Sequence, residues 1–185
     1  MSERYNIGRC CIALCIGFLV PLYGSQSAKA QTINEYQVKA AYLFSFAKFV
    51  EWPAGTFASQ ADPIRLCILN DRPLETQLTQ IAGNKQIAGH PVLVIPVQDG
   101  KQSRGCQELF INSAQSPEAP QIIDSLRGAS VLTVGETDDF VGQGGIVNFV
   151  VQSDHVQFQV NQKAATQAGL HMSSQLLSVA KRVFK

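Results

Sequence analysis

Histidine, tryptophan and, past residue 30, cysteine are scarce in this chain: three His, one Trp and only Cys67 and Cys106. Each scarcity excludes something. The spacing of the two cysteines rules out a CxxC redox pair. His90, His155 and His171 stand far apart, in no HExxH or paired-ligand spacing, so no metal site is expected. His155, at a hairpin start, and His171, in a turn between helices, read as exposed polar residues. No G-x-S-x-G elbow occurs. Gly142, Gly144 and Gly145 precede a strand rather than open a helix, so they suit a tight turn better than a phosphate loop. Glu136, Asp138 and Asp139 lack the alternation of an EF-hand loop and read as a solvated turn. Nothing here makes a positive case for an enzyme, a cofactor or a catalytic residue. There is also no internal repeat, linker or low-complexity stretch.

The start of the chain is different in kind. Arg4 and Arg9 make a basic opening to the run CCIALCIGFLV (10–20), which is followed by Pro21, a small polar stretch and Ala28-Lys29-Ala30. This is the pattern of a secretory signal peptide over residues 1–30, cleaved between Ala30 and Gln31. The apolar run is shorter than the ~20 residues a bilayer requires, and Leu14 is too large to precede a lipidated Cys15. The exported chain would have 155 residues, with 12 basic and 13 acidic side chains, a net charge of −1. No basic cluster remains to neutralise phosphates, which excludes nucleic acid as a natural partner. No later segment is long and apolar enough to span a membrane. Cys10, Cys11 and Cys15 leave with the signal. Cys67 and Cys106 then form an even pair in an oxidising compartment and are expected to bond to each other, two buried thiols being the alternative.

A pass along the remaining chain, 31–185, predicts one α/β domain with a mixed sheet flanked by helices and a late antiparallel hairpin. Thr32 and Glu35 have the spacing of a capping box, opening a helix over about 33–50 that Pro53 and Gly55 stop. IRLCILN (64–70), PVLVIPV (91–97), ELFIN (108–112) and VLTVGE (131–136) read as strands. Asp71 caps a helix to about Ala82, and another helix is expected around 121–126. GIVNFVVQ (145–152) and HVQFQV (155–160) form a hairpin about Ser153-Asp154. Asn161 caps a short helix that Gly169 ends. A last helix, capped by Ser173 or Ser174, carries Leu176, Leu177, Val179, Ala180 and Val183.

The first helix concentrates five of the chain's fifteen aromatic residues in the stretch YLFSFAKFVEW: Tyr42, Phe44, Phe46, Phe49 and Trp52. On a wheel of about 100° per residue, Tyr42, Phe46 and Phe49 share an apolar arc with Leu43, Ala47 and Val50. Lys39 falls inside that arc and is expected to snorkel outward. Phe44 lies on the polar edge. Tyr42, Phe46, Phe49 and Trp52 are therefore read as a core aromatic helix, and Phe44 as part of a surface offered to a partner. The turn NQKAATQAGLHMSS adds Leu170, His171 and Met172 to that surface, as an exposed corner.

YQVKAAYLFSFAKFVEWP, IRLCILN, GGIVNFVVQSDHVQFQVN and AGLHMSSQLLSVAKRV together resemble the YfiR family over almost the whole exported chain. The resemblance implies an α/β, dimeric periplasmic protein that is not an enzyme. It implies a repressor that binds the periplasmic part of an inner-membrane diguanylate cyclase and lowers cyclic di-GMP, and hence biofilm growth. It also implies that an OmpA-like outer-membrane lipoprotein sequesters the repressor. Cys67 and Cys106 match a disulfide pair of that family. Some members carry a second pair near the late hairpin, where this chain has none, so redox control through a second bond is not expected. The competing expectation is a periplasmic small-molecule-binding module that acts with another membrane receptor or a transporter.

Overall fold

A computed structural model describes Met1 and residues 26–185, with side chains from residue 35 onward. The signal segment expected up to Ala30, Cys15 included, lies outside the described residues as far as residue 25. Ten strands and five α-helices follow in chain order: α1 Gln26–Phe49, β1 Val50–Glu51, β2 Ile64–Leu69, α2 Arg72–Ala82, β3 Gln86–Ile87, β4 His90–Val97, β5 Glu108–Ile111, α3 Ala119–Ser125, β6 Leu132–Gly135, β7 Val147–Gln152, β8 His155–Asn161, α4 Gln162–Gln167, β9 His171–Met172, α5 Ser174–Val179 and β10 Arg182–Phe184. Short 3₁₀ turns at Gly100–Gly105 and Ser113–Glu118 precede β5 and α3.

Eight strands form one mixed sheet in the order β10-β8-β7-β6-β5-β2-β4-β3. β4, β2, β5, β6 and β7 run parallel, and β8 turns back antiparallel on β7. The alternation of side chains along β2 shows why the sheet is covered on both faces. Ile64, Leu66 and Ile68 enter the larger core beneath α1 and α2. Cys67 and Leu69 enter a second core beneath α3 and the 3₁₀ turn before β5. The Cys67–Cys106 disulfide forms in that second core, 39 residues apart in sequence.

Several local expectations hold for identifiable reasons. The Asp71 carboxylate accepts from the Leu74 amide and caps α2, with Pro73 in its first turn. Asn161 caps α4 and Ser173 caps α5 in the same way. Ser153 and Asp154 both have positive φ, at 49° and 64°, as a two-residue hairpin turn demands. Gly135 and Gly145 flank the Phe140 ring so closely that a Cβ at either would overlap it. Gly145 therefore serves close packing on the ring, while Gly144 has a positive φ of 96° that suits a tight turn.

Other expectations are corrected. α1 is helical from Gln26, where the described residues resume, so Thr32 lies within the helix rather than capping it. α1 ends at Phe49, which leaves Trp52 beyond the helix, packed edge-on against Phe57 at 6.4 Å. The last helix stops at Val179, which is 66% exposed, and the chain re-enters the sheet as β10 beside β8. The open outer edge of β8 supplies the partner that Val183 and Phe184 need, beginning with the Lys181 amide donating to the Phe158 carbonyl.

Candidate functional site at the carboxyl edge of the sheet

The connection from β2 through α2 leads to β4 on one side, and the chain then returns to lay β5 on the other side of β2. The sheet therefore has a topological switch point between β2 and β5. In open α/β sheets, the crevice outside the carboxyl ends of such strands is where ligands bind. Here the ends of three adjacent parallel strands deliver polar residues to that crevice. Asn70 and Asp71 follow β2, Asn112 and Ser113 follow β5, and Glu136 follows β6.

α1 completes the cluster. The Lys39 ammonium donates to Glu35 Oε1 at 2.5 Å and to Glu136 Oε2 at 2.6 Å. The other Glu136 oxygen accepts from the Ser113 amide at 2.8 Å. Lys39 is only 5% exposed. It does not snorkel, because two carboxylates meet it inside. Nor is Glu136 part of a solvated turn, its side chain being 15% exposed. Burial alone would lower the Lys39 pKa, but the hydrogen bonds and charges of Glu136 and Glu35 outweigh it and hold the pKa above its ordinary value. Burial raises the Asp71 pKa; the Leu74 amide opposes the rise and the Glu136 charge adds to it. Tyr36 is raised by burial and then by Asp71 and Glu136. These mutual influences identify one electrostatic unit spanning α1, the β2–α2 turn and the ends of β5 and β6.

A cleft of about 330 Å³ opens beside this unit, lined by Glu35, Lys39, Glu136 and Asp138 together with Phe149, Val150 and Val151. The arrangement can hold charge at a fixed place and tie α1 to the sheet edge. Among the described residues, no group of three or more His, Cys, Asp or Glu is placed to hold a metal ion. No helix among them is long and apolar enough to cross a membrane.

The residues singled out from the sequence divide. Cys67 and Cys106 are brought together. Phe46 is fully buried, 4.9 Å from Phe158 and 5.7 Å from Phe149, and the partly buried Tyr42 packs on the same rings. Phe49 is partly buried against this core. Phe44 is also half-buried, with Lys85 Nζ 5.2 Å above its ring. Leu170 and Met172 are each only 4% exposed, which corrects their placement on an open corner. The reason is β9: Met172 pairs with Val50 and His171 with Glu51, closing the corner onto the end of α1. His171 and His155 remain exposed. His90 is 9% exposed, its Nδ1 2.9 Å from the Asp62 carbonyl and its ring stacked on Phe57. Reading the sequence alone missed the Lys39–Glu136 pair, 97 positions apart. The available signal was a lysine inside an apolar arc, four residues after a glutamate.

Fold and crevice together define a parallel-centred α/β domain with a charged switch point and a C-terminal antiparallel extension. Comparison then places it: the chain belongs to the YfiR/HmsC-like family, whose model matches residues 36–181. That family is one of periplasmic regulatory proteins associated with diguanylate cyclase signalling. No curated protein matches the chain in sequence. Among solved structures, it is similar in fold to a conserved domain protein from Vibrio cholerae O1 biovar El Tor, with a TM-score of 0.51 and 9% identity over 78% of this chain and 59% of that one. It thus spans less than two thirds of that protein's length. An ABC domain in complex with L-Trp from Streptococcus pneumonia aligns at a TM-score of 0.48 and 12% identity, over 70% of this chain and 57% of that one.

Proposed function

We propose that this protein is a periplasmic repressor that binds the sensor region of an inner-membrane diguanylate cyclase, holds it inactive and so lowers cyclic di-GMP. The observation that carries the reading is the family match over residues 36–181. In this reading residues 1–30 are a signal peptide removed on export, the protein is a homodimer without catalytic activity, and an OmpA-like outer-membrane lipoprotein relieves repression by sequestering it. Repression needs only that the protein prefer one cyclase conformation. Moving a two-state equilibrium from 99:1 to 1:99 takes about 5.5 kcal/mol of differential binding, within reach of a few well-packed anchors. The disulfide and the Lys39 cluster favour such a role by bracing the domain that would present them. With Leu170 and Met172 buried, the proposed partner surface centres on His171, with Phe44 at the edge of α1.

The test is cellular cyclic di-GMP in a deletion strain, with and without the exported protein restored. A rise on deletion that the restored protein reverses is the expected result. An unchanged level, under conditions where the protein is expressed, overturns repression and leaves the module acting with a different receptor or transporter.

A further inference from the structure

The large sheet ends on one side at β10, with no strand beyond it among the described residues. β8, α4, β9, α5 and β10 build this end from residues 155–185, which hold Lys163, Lys181, Arg182 and Lys185 but not one Asp or Glu. The 13 acidic side chains of the exported chain all lie in residues 31–154. No basic run marks this end in the sequence, because the four cations are spread over residues 163–185; strand pairing gathers them. Arg182 is in register with Gln159 and Phe184 with Asn161, so Lys181 and Lys185 flank β10 at its two ends. Lys185 lies level with the start of α4, which packs beside β10 and carries Lys163 in its first turn. All four cations are exposed, and from Lys181 to Lys185 the stripe runs roughly 13 Å.

Its charge is available. Lys181 Nζ donates to Gln152 Oε1, a neutral amide, at 2.6 Å, and the Arg182 guanidinium lies 4.4 Å over the Phe184 ring. Asp154, in the hairpin turn past Gln152, is the acidic residue at the Lys181 end. The Glu35–Lys39–Glu136 cluster lies beyond β8 and β7, at the end of β6. Three strand spacings are roughly 14 Å, more than the ~8 Å over which charge carries in physiological salt. Apolar surface accompanies the stripe: Val179, 66% exposed, ends α5 just before Lys181, and Val183 and Phe184 are only partly buried. Cations around a projecting apolar side chain suit an anionic bilayer, where phosphates meet the cations and the apolar group enters the headgroup boundary. A strand edge is a rim and not a groove, and its Lys and Arg side chains oppose the addition of another strand. A broad anionic surface therefore fits it better than a bound peptide.

We infer that the β10 edge docks this protein on an anionic phospholipid surface, with Lys163, Lys181, Arg182 and Lys185 against the phosphates and Val179 in the headgroup layer. The inference rests on the periplasmic location in the reading above, and it sets the repressor beside the membrane that would hold its cyclase. Its test contains no cyclase, so either can fail alone.

The experiment is co-sedimentation of the exported protein with vesicles of phosphatidylglycerol and phosphatidylcholine in equal parts, against phosphatidylcholine alone. At low salt the protein binds the anionic vesicles and not the neutral ones. Raising salt from about 25 to about 500 mM shortens the screening length about fourfold and removes most of the binding. Lys181→Glu/Lys185→Glu weakens binding about tenfold or more. Lys48→Glu/Lys101→Glu, at two exposed lysines away from this edge, has the same net charge and weakens it less than about threefold. Val179→Ser weakens it about fivefold. All variants keep the parent's far-UV circular dichroism. The inference is overturned if anionic vesicles take up no more protein than neutral ones, if binding is indifferent to salt, or if the two charge-reversed pairs weaken it equally. An acidic protein as the true occupant of the edge would give the first of these results.

Discussion

Lys39 and Glu108 are two buried ionisable residues treated in opposite ways. Lys39 is matched by two carboxylates, whereas Glu108, 2% exposed, has one carboxylate oxygen with no partner. Removing the cation from the first site leaves Glu136 buried and uncompensated. Lys39→Met should therefore lower stability by about 3 kcal/mol in urea unfolding. Glu35→Gln should cost about 1 kcal/mol or less, since Glu35 is 36% exposed and Lys39 keeps Glu136. Glu108 lies in register with Leu66 and Leu132, both in the core beneath α1, and burial pushes its pKa well above the ordinary carboxylate value. At pH below the unfolded carboxyl's range both states hold the proton. Above it, the unfolded chain releases the proton while the folded chain retains it. Stability is thus lost as pH rises from the ordinary carboxylate range up to the folded pKa. Glu108→Met should stabilise by about 1–3 kcal/mol at pH 7, a gain that shrinks towards pH 4. Urea unfolding at the two pH values checks this.

At the scale of elements, the disulfide joins the middle of β2 to the residue two before β5, on the face away from α1. Its 39-residue separation gives about 4 kcal/mol by the loop-entropy argument. A Cys67→Ser/Cys106→Ser chain should unfold at correspondingly lower urea and should match the reduced parent protein. The Gly135–Phe140–Gly145 sandwich fixes how the chain leaves β6 and approaches β7. Gly145→Ala should cost about 1–3 kcal/mol through overpacking, read as a lowered Tm, because its Cβ would meet the ring itself and not a flexible chain end.

At the scale of the whole molecule, three parts meet: the parallel centre of the sheet, the extension in which β8 turns back antiparallel on β7 and β10 runs parallel to β8, and α1 lying across both. α1 reaches the switch point through Lys39, the hairpin through Tyr42 and Phe46, and β9 through Phe49, whose carbonyl accepts from the Ser173 amide. A partner gripping the exposed His171 would thus pull on the strand pair that anchors the end of α1. His171→Glu should leave far-UV circular dichroism unchanged while cellular cyclic di-GMP rises toward the deletion level. If repression persists in that variant, the proposed surface is misplaced.

Local information was enough for the features it governs. Asp71, Asn161, Ser173 and the Ser153-Asp154 turn act through bonds within a few residues, and the apolar runs at 64–70, 91–97, 108–112 and 131–136 needed only strand periodicity and composition to be seen. The pairing of Cys67 with Cys106 was legible because these are the two cysteines past residue 30. Contacts that depend on where distant segments meet could not be read in this way. Lys39 is buried because Glu136 arrives from the end of β6, Met172 because β9 finds β1, and Val183 leaves helical structure because β8 offers an open edge. In each case a long-range partner changed the cost of burying or extending a residue whose own sequence neighbourhood suggested otherwise. The switch-point cluster belongs to that second kind, since it is assembled from segments that only the folded sheet brings together.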